Sequence, residues 1–226
     1  REVALRGEIA VLAVMATPGR PTAELRRDRV AGIDVTFLDT PGRFLVSSVL
    51  RIPVILAALA GMGAPLVHLH GTGIVQSAVL LVARLKRIPL VWTMHGITEK
   101  ELWAALRRDG GLKVWIRFFV YAACERFQLR LSRHLVVDTP YVGREVAHRA
   151  AAKPQAIPQG IFLDEMTAAR VAERPDPVVI SLGVVHPRKG HALTLRAFAE
   201  VVAAVPAARR SIVGAPTDPA YLDQLE

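Results

Sequence analysis

Residues 52–83 contain no Lys, Arg, Asp or Glu. A charge-free run of that kind either crosses a membrane or supplies elements buried on more than one side. It fails as one spanning helix. Pro53, Gly61, Gly63, Pro65, Gly71 and Gly73 interrupt it, and its apolar block, residues 52–60, is shorter than the roughly 20 residues a span needs. The run therefore reads as several buried segments of a globular protein. A chain 52% hydrophobic and 22% charged agrees, since disordered and collagen-like chains have other compositions. The start of the sequence lacks the charged, apolar and small-residue regions of a signal peptide. Cys124 is accordingly expected in a cytoplasmic chain, where as the single cysteine it forms no internal disulfide.

Short β-prone runs alternate with helix-length segments. Residues 8–16 (EIAVLAVMA) and 33–38 (IDVTFL) read as strands, each followed by Pro-Gly punctuation. Residues 44–62 read as a helix kinked at Pro53, 66–70 as a strand, 74–86 as a helix and 89–94 as a strand. A strand, a crossover helix and a strand make a right-handed parallel unit, so the fold class is α/β. Ligands of such sheets bind beyond the carboxyl ends of the strands, where HLHGTG and TMHGIT fall.

Helices are expected over 99–107 and 112–131, the second reading as mostly buried with snorkelling basic tips. A membrane-apposed surface around its WIRFFVY segment is the alternative. Residues 135–138 read as a strand before another helix. Pro154, Pro158, Gly160 and the later AERPDP mark a junction, dividing the chain into domains 1–160 and 161–226. After it come a strand (178–185), a helix (191–205) and a strand (210–214), the beginning of a second parallel sheet.

A formal charge of +9 and a pI near 10.5 imply an anionic partner. The basic residues form no block and no recognition motif, which disfavours nucleic acid. At SLGVVHPRKGH a strand runs through Arg188, Lys189 and Gly190 into a helix. Backbone N–H groups, the helix dipole and two cations would meet there, as in a phosphate cradle. An ordinary solvated loop is the alternative. The spacing matches neither a Walker loop nor a dinucleotide fingerprint. His68 and His70, two apart on a strand, and His95 on the next strand end would suit a metal-dependent hydrolase or a polar pocket. Cys124 reads as an inert buried thiol. Asp138 reads as a strand-end carboxylate or as the cap of the helix that follows.

The ordered set VHLHG, PLVWTMHG, LVVDTPYV, AIPQGIF, ISLGVVHPRKGH and RRSIVGAP resembles the family 4 retaining glycosyltransferases of GT-B architecture, from about Val11 to the last residues. The resemblance implies two Rossmann-like parallel-sheet domains, the first nearly complete and the second truncated. It makes 1–160 the acceptor-side domain and 161–226 the beginning of the nucleotide-sugar domain. His95 would be catalytic, facing donor sugar and acceptor, with His70, Gly71 and Gly96 lining the same cleft. Gly183, Arg188, Lys189 and Gly190 would bind the donor diphosphate, although Val184 stands where the family has an arginine. The implied reaction transfers a sugar, with retention, from a UDP- or GDP-sugar to a glycan or lipid-linked acceptor, using no metal and no cofactor. Polysaccharide biosynthesis in the cytoplasm, at the inner face of an anionic membrane, is the implied setting. The family's glycine-rich opening loop and its Glu-x7-Glu segment are not in this sequence, so the chain as given is expected to be a catalytically incomplete fragment. A metal-dependent hydrolase using His68, His70 and His95, and an epimerase or non-catalytic relative of the same architecture, are the competing readings.

Overall fold

The structure is a computed structural model that describes residues 10–17, 24–30, 33–41, 46–63, 65–160, 177–216 and 219–225. The chain divides into two compact units, Arg1–Gly160 and Ile161–Glu226. The beginnings of the predicted first strand and first helix, and AERPDP up to Asp176, lie outside the described residues.

In the first unit, β1 (Ala10–Thr17) pairs in parallel with β3 (Ile33–Pro41), whose other edge carries β2 (Glu24–Val30) antiparallel. Sequence reading misses β2. Its ELRRDRV has no apolar alternation, and residues 26–30 are exposed on an edge that charge protects from further pairing. Helix α1 (Val46–Met62) runs through Pro53. A second sheet then forms in the order β4 (Val67–His70), β5 (Leu90–Met94), β6 (Leu135–Val137), β7 (Gln155–Ala156), all parallel. Its crossovers are α2 (Ile74–Leu85), the pair α3 (Thr98–Asp109) and α4 (Leu112–Leu131), and α5 (Pro140–Val146).

The charge-free run thus becomes most of α1, β4 and most of α2. Among the described residues no helix is long and apolar enough to cross a membrane. The core lies where these elements meet. Trp92 and Met94 of β5 and Leu135 and Val137 of β6 pack with Ile55 of α1, Val79 and Leu80 of α2, Leu129 of α4 and Val146 of α5. Every residue of β5 except Val91 is buried, as a strand covered on both faces requires.

Helix α4 corrects the expectation of a mostly buried helix. Its second half turns Ala122, Glu125, Gln128 and Leu129 inward, whereas Trp115, Ile116 and Phe119 of its first half are exposed. The fully buried Glu125 carboxylate accepts the Glu99 N–H (3.1 Å) and faces Arg149 (3.5 Å). Burial raises its pKa against those partners. Burial also opposes ionisation of Glu99, but hydrogen bonds from Arg126 and Arg149 outweigh it and hold the Glu99 pKa below the ordinary value. This network ties the start of α3 to α4 and to the turn after α5.

In the second unit, β8 (Val178–Leu182) and β9 (Arg209–Val213) pair in parallel, joined by α6 (His191–Ala204), and α7 (Pro219–Asp223) follows. A bridge between Val185 and Pro216 carries the pairing past both strand ends.

Candidate active site

The carboxyl ends of β4, β5 and β6 lie side by side because the strands are parallel and in register, His70 opposite Thr93 and Met94 opposite Val137. The residues at or just past those ends are His70, His95 and Asp138, and they form one hydrogen-bonded chain. His95 Nδ1 lies 2.9 Å from Asp138 Oδ2, and His70 Nδ1 lies 3.0 Å from His95 Nε2. An ionised carboxylate only accepts, which assigns the His95 proton to Nδ1. In the neutral ring Nε2 is then an acceptor, so His70 donates its Nδ1–H to it and keeps a lone pair on its own Nε2. Gln159 adds a second donor to Asp138, with Nε2 3.2 Å from Oδ2.

His68 is turned to Thr93, Nε2 to Oγ1 2.8 Å, and its ring centroid is 4.2 Å from that of His70. Burial is the first cause lowering the pKa of His70. The neighbouring His68 and His95 lower it further, and Asp138 opposes them. For His68 burial leads and His95 adds to it. Both rings are therefore neutral at neutral pH.

Trp92 donates its indole N–H to the Gly71 carbonyl (2.7 Å), and the Gly71 N–H donates to the Thr93 carbonyl (3.1 Å), which fixes the turn after β4. Gly96 follows His95, and a Cβ placed there would lie 2.9 Å from Glu101 Oε1. His70, Gly71, His95 and Gly96 thus lie together at and just past the ends of β4 and β5. Asp138 does not cap α5. Thr139 does, its Oγ1 accepting from the Val142 N–H (3.3 Å), which leaves the Asp138 carboxylate to His95. Gln159 falls in the AIPQGIF motif, but the sequence alone gives it no role, since residues 157–160 carry no periodicity.

Among the described residues no three His, Cys, Asp or Glu side chains are grouped to hold a metal ion. Cys124 is half-buried, and burial pushes its thiol pKa up against a hydrogen bond with Ser77. A broad cleft of about 1270 Å³ between β2, β3 and α1 shares no residue with the histidine cluster.

The residues of the second predicted group, Gly183, Arg188, Lys189 and Gly190, all lie in the second unit. Past β8 the chain runs through Gly183 and Val184 into a 3-10 turn, Pro187–Lys189, and then into α6. The turn is capped by His186, whose Nδ1 accepts the Arg188 N–H (3.2 Å). Gly190 joins turn to helix at φ 69°, in the left-handed region that favours glycine. Lys189 folds back over Gly183. A Cβ built at Gly183 would meet its Cε at 3.6 Å and its Nζ at 3.8 Å. At Gly214 a Cβ would lie 1.9 Å from the Gly183 carbonyl oxygen, so only glycine lets the end of β9 approach this loop. One first-turn donor of α6 is already used: the Ala192 N–H donates to the Tyr221 hydroxyl (3.0 Å). Arg188 and Lys189 are exposed, as is Val184.

The fold resembles the crystal structure of an α,α-trehalose-phosphate synthase (UDP-forming) from Burkholderia vietnamiensis, with a TM-score of 0.61 at 14% identity. The match covers 96% of this chain and 60% of that one, so the chain spans about 60% of the length of that relative. At that identity the likeness is one of fold, the α/β GT-B architecture of paired Rossmann-like domains. No curated protein matches the chain. The sequence model of Glycosyltransferase Family 4 matches residues 4–165, which include β4, β5 and β6 with His70, His95 and Asp138 at their ends. With most of its length inside that match, the chain belongs to glycosyltransferase family 4.

Proposed function

We propose that the protein transfers a sugar from a nucleotide-sugar donor to a glycan or lipid-linked acceptor, with retention and without a metal ion or cofactor, at the cytoplasmic face of a membrane. The observation that carries the reading is the His70–His95–Asp138 chain at three adjacent strand ends of a family 4 domain. The resembled synthase is named as UDP-forming, which makes UDP-sugars the first donors to test and GDP-sugars the second.

In this reading the bond between the anomeric carbon and the diphosphate oxygen breaks as the acceptor oxygen bonds to that carbon from the same face. The acceptor proton passes to the departing diphosphate oxygen. Charge grows on the diphosphate, and Lys189, Arg188 and the start of α6 are the groups proposed to stabilise it. Gly183 and Gly190 let the backbone come close to the diphosphate. His95, its Nδ1–H held by Asp138, offers Nε2 to a sugar hydroxyl in exchange for the His70 N–H. Gly71 and Gly96 line the acceptor side.

The test is product analysis with the complete reading frame, using UDP- and GDP-sugars and candidate acceptors with and without a chelator. A product of unchanged anomeric configuration, formed equally with chelator, is expected. An epimerised nucleotide-sugar with no transfer product, or hydrolysis that stops with the chelator, would overturn the reading.

A pH profile checks the histidines. Since the pKa of His70 is lowered, transfer should hold down to the ordinary histidine value of about 6.5 and fall only below it, as His70 takes a proton and loses its acceptor. Asp138 opposes that lowering, so Asp138→Asn should move the acid limb to still lower pH while reducing the plateau by about tenfold, roughly 1.4 kcal/mol. An acid limb that moves upward would contradict the assignment.

A further inference from the structure

Helices α3 and α4 meet at Gly110 and Gly111, and the first two turns of α4 carry an apolar stripe that is exposed among the described residues. Leu112, Trp115, Ile116 and Phe119 have the i, i+3, i+4, i+7 spacing of one helix face. Their exposures are 76, 41, 43 and 60%. The residues that anchor α4 to the core, Ala122, Glu125, Gln128 and Leu129, lie on later turns. Trp103 of α3, itself 46% exposed, extends the patch, with its ring 6.5 Å from that of Trp115 and 5.5 Å from that of Phe118. Phe118 and Phe119 complete a continuous group of four rings. Isolated exposed apolar side chains are ordinary, but a contiguous aromatic patch marks an interaction surface.

The chemistry around the patch selects the partner. The only charged residues in 112–119 are Lys113 and Arg117, both exposed, and exposed Arg107 stands one turn beyond Trp103. Tryptophan and phenylalanine beside long basic side chains suit a lipid headgroup boundary: rings enter the acyl margin while the cations reach lipid phosphates. A second copy of this chain, also +9, would set cations against cations here. A 20-residue helix holding Lys113, Arg117, Glu125, Arg126 and Arg130 is too charged to span a bilayer, so any contact with one is at its surface.

We infer that the α3–α4 hairpin tip, with Trp103, Trp115, Ile116 and Phe119 as its inserting side chains and Lys113 and Arg117 as its headgroup contacts, docks on an anionic membrane surface. This rests on the membrane setting of the proposed reading and deepens it by locating the contact, and it is tested with no sugar donor, so its failure removes that setting and leaves the sugar transfer standing.

Flotation of the full chain with phosphatidylcholine vesicles, with and without phosphatidylglycerol, reads the inference. Binding to the anionic vesicles and much weaker binding to the neutral ones is expected. Trp115→Ala with Phe119→Ala should abolish flotation, and Lys113→Gln with Arg117→Gln should weaken it about thirtyfold. These side chains are exposed, so an unchanged thermal midpoint certifies the fold of both variants. Vesicles should also shift the tryptophan emission of the wild type to the blue, a change that fully buried Trp92 does not contribute. Equal flotation of wild type and aromatic variant, absence of binding to anionic vesicles, or a dimer that only the aromatic variant loses would each overturn the inference.

Discussion

Lys189→Ala in the complete protein should lower sugar transfer by about 10²–10³-fold with folding unchanged, the usual consequence of removing one preorganised donor to developing charge. Lys189 is exposed, and its side chain lies over Gly183 at the end of β8, so its loss leaves no cavity. The effect should fall on kcat more than on KM, because the diphosphate gains charge as the sugar leaves. Val184 makes the dependence on Lys189 stronger. Where the resemblance expects an arginine this chain has an apolar side chain, and the neighbouring cation is Arg188 on the same short turn. Lys189→Arg should recover part of the rate, since it restores the charge with a different shape. Turnover of Lys189→Ala equal to wild type would remove the diphosphate assignment.

Trp92→Ala carries the largest expected cost in stability, about 3–5 kcal/mol by chemical denaturation of the first unit. Trp92 is fully buried in the middle strand, paired with Leu69 on one side and Leu135 on the other. Truncation opens a cavity in the buried core cluster and strips the Gly71 carbonyl of its indole donor. Trp92→Phe separates the two effects. It keeps most of the apolar volume and loses the hydrogen bond, for about 1 kcal/mol. It also loosens the turn that carries His70 into the site. A Trp92→Ala variant as stable as wild type would contradict this packing.

The strand ends were legible because 66–70 and 89–94 are apolar runs that close on His-Gly, and parallel sheets put ligands at such ends. The identity of the group holding His95 was not. Asp138 is 43 residues away, and only the pairing of Met94 with Val137 brings it near. Without register, helix capping was an equal reading of Asp138, and the neighbouring Thr139 proved able to do it. The edge strand β2 was invisible because an exposed charged strand needs no apolar alternation. The α4 stripe shows a further limit. Spacing tells which residues share a face, not whether anything covers it.

The His70–His95–Asp138 chain also has a kinetic meaning. Its links join residues 25 and 43 positions apart, and each closes only after a helical crossover has docked on the sheet. Local helices form long before such non-local pairings, which must first overcome the entropy of closing their loops. A first unit whose sheet has not yet paired can therefore hold some helix while having none of its site. Ligand capacity, rather than helical content, is the stricter gauge of how many molecules in a preparation have finished folding.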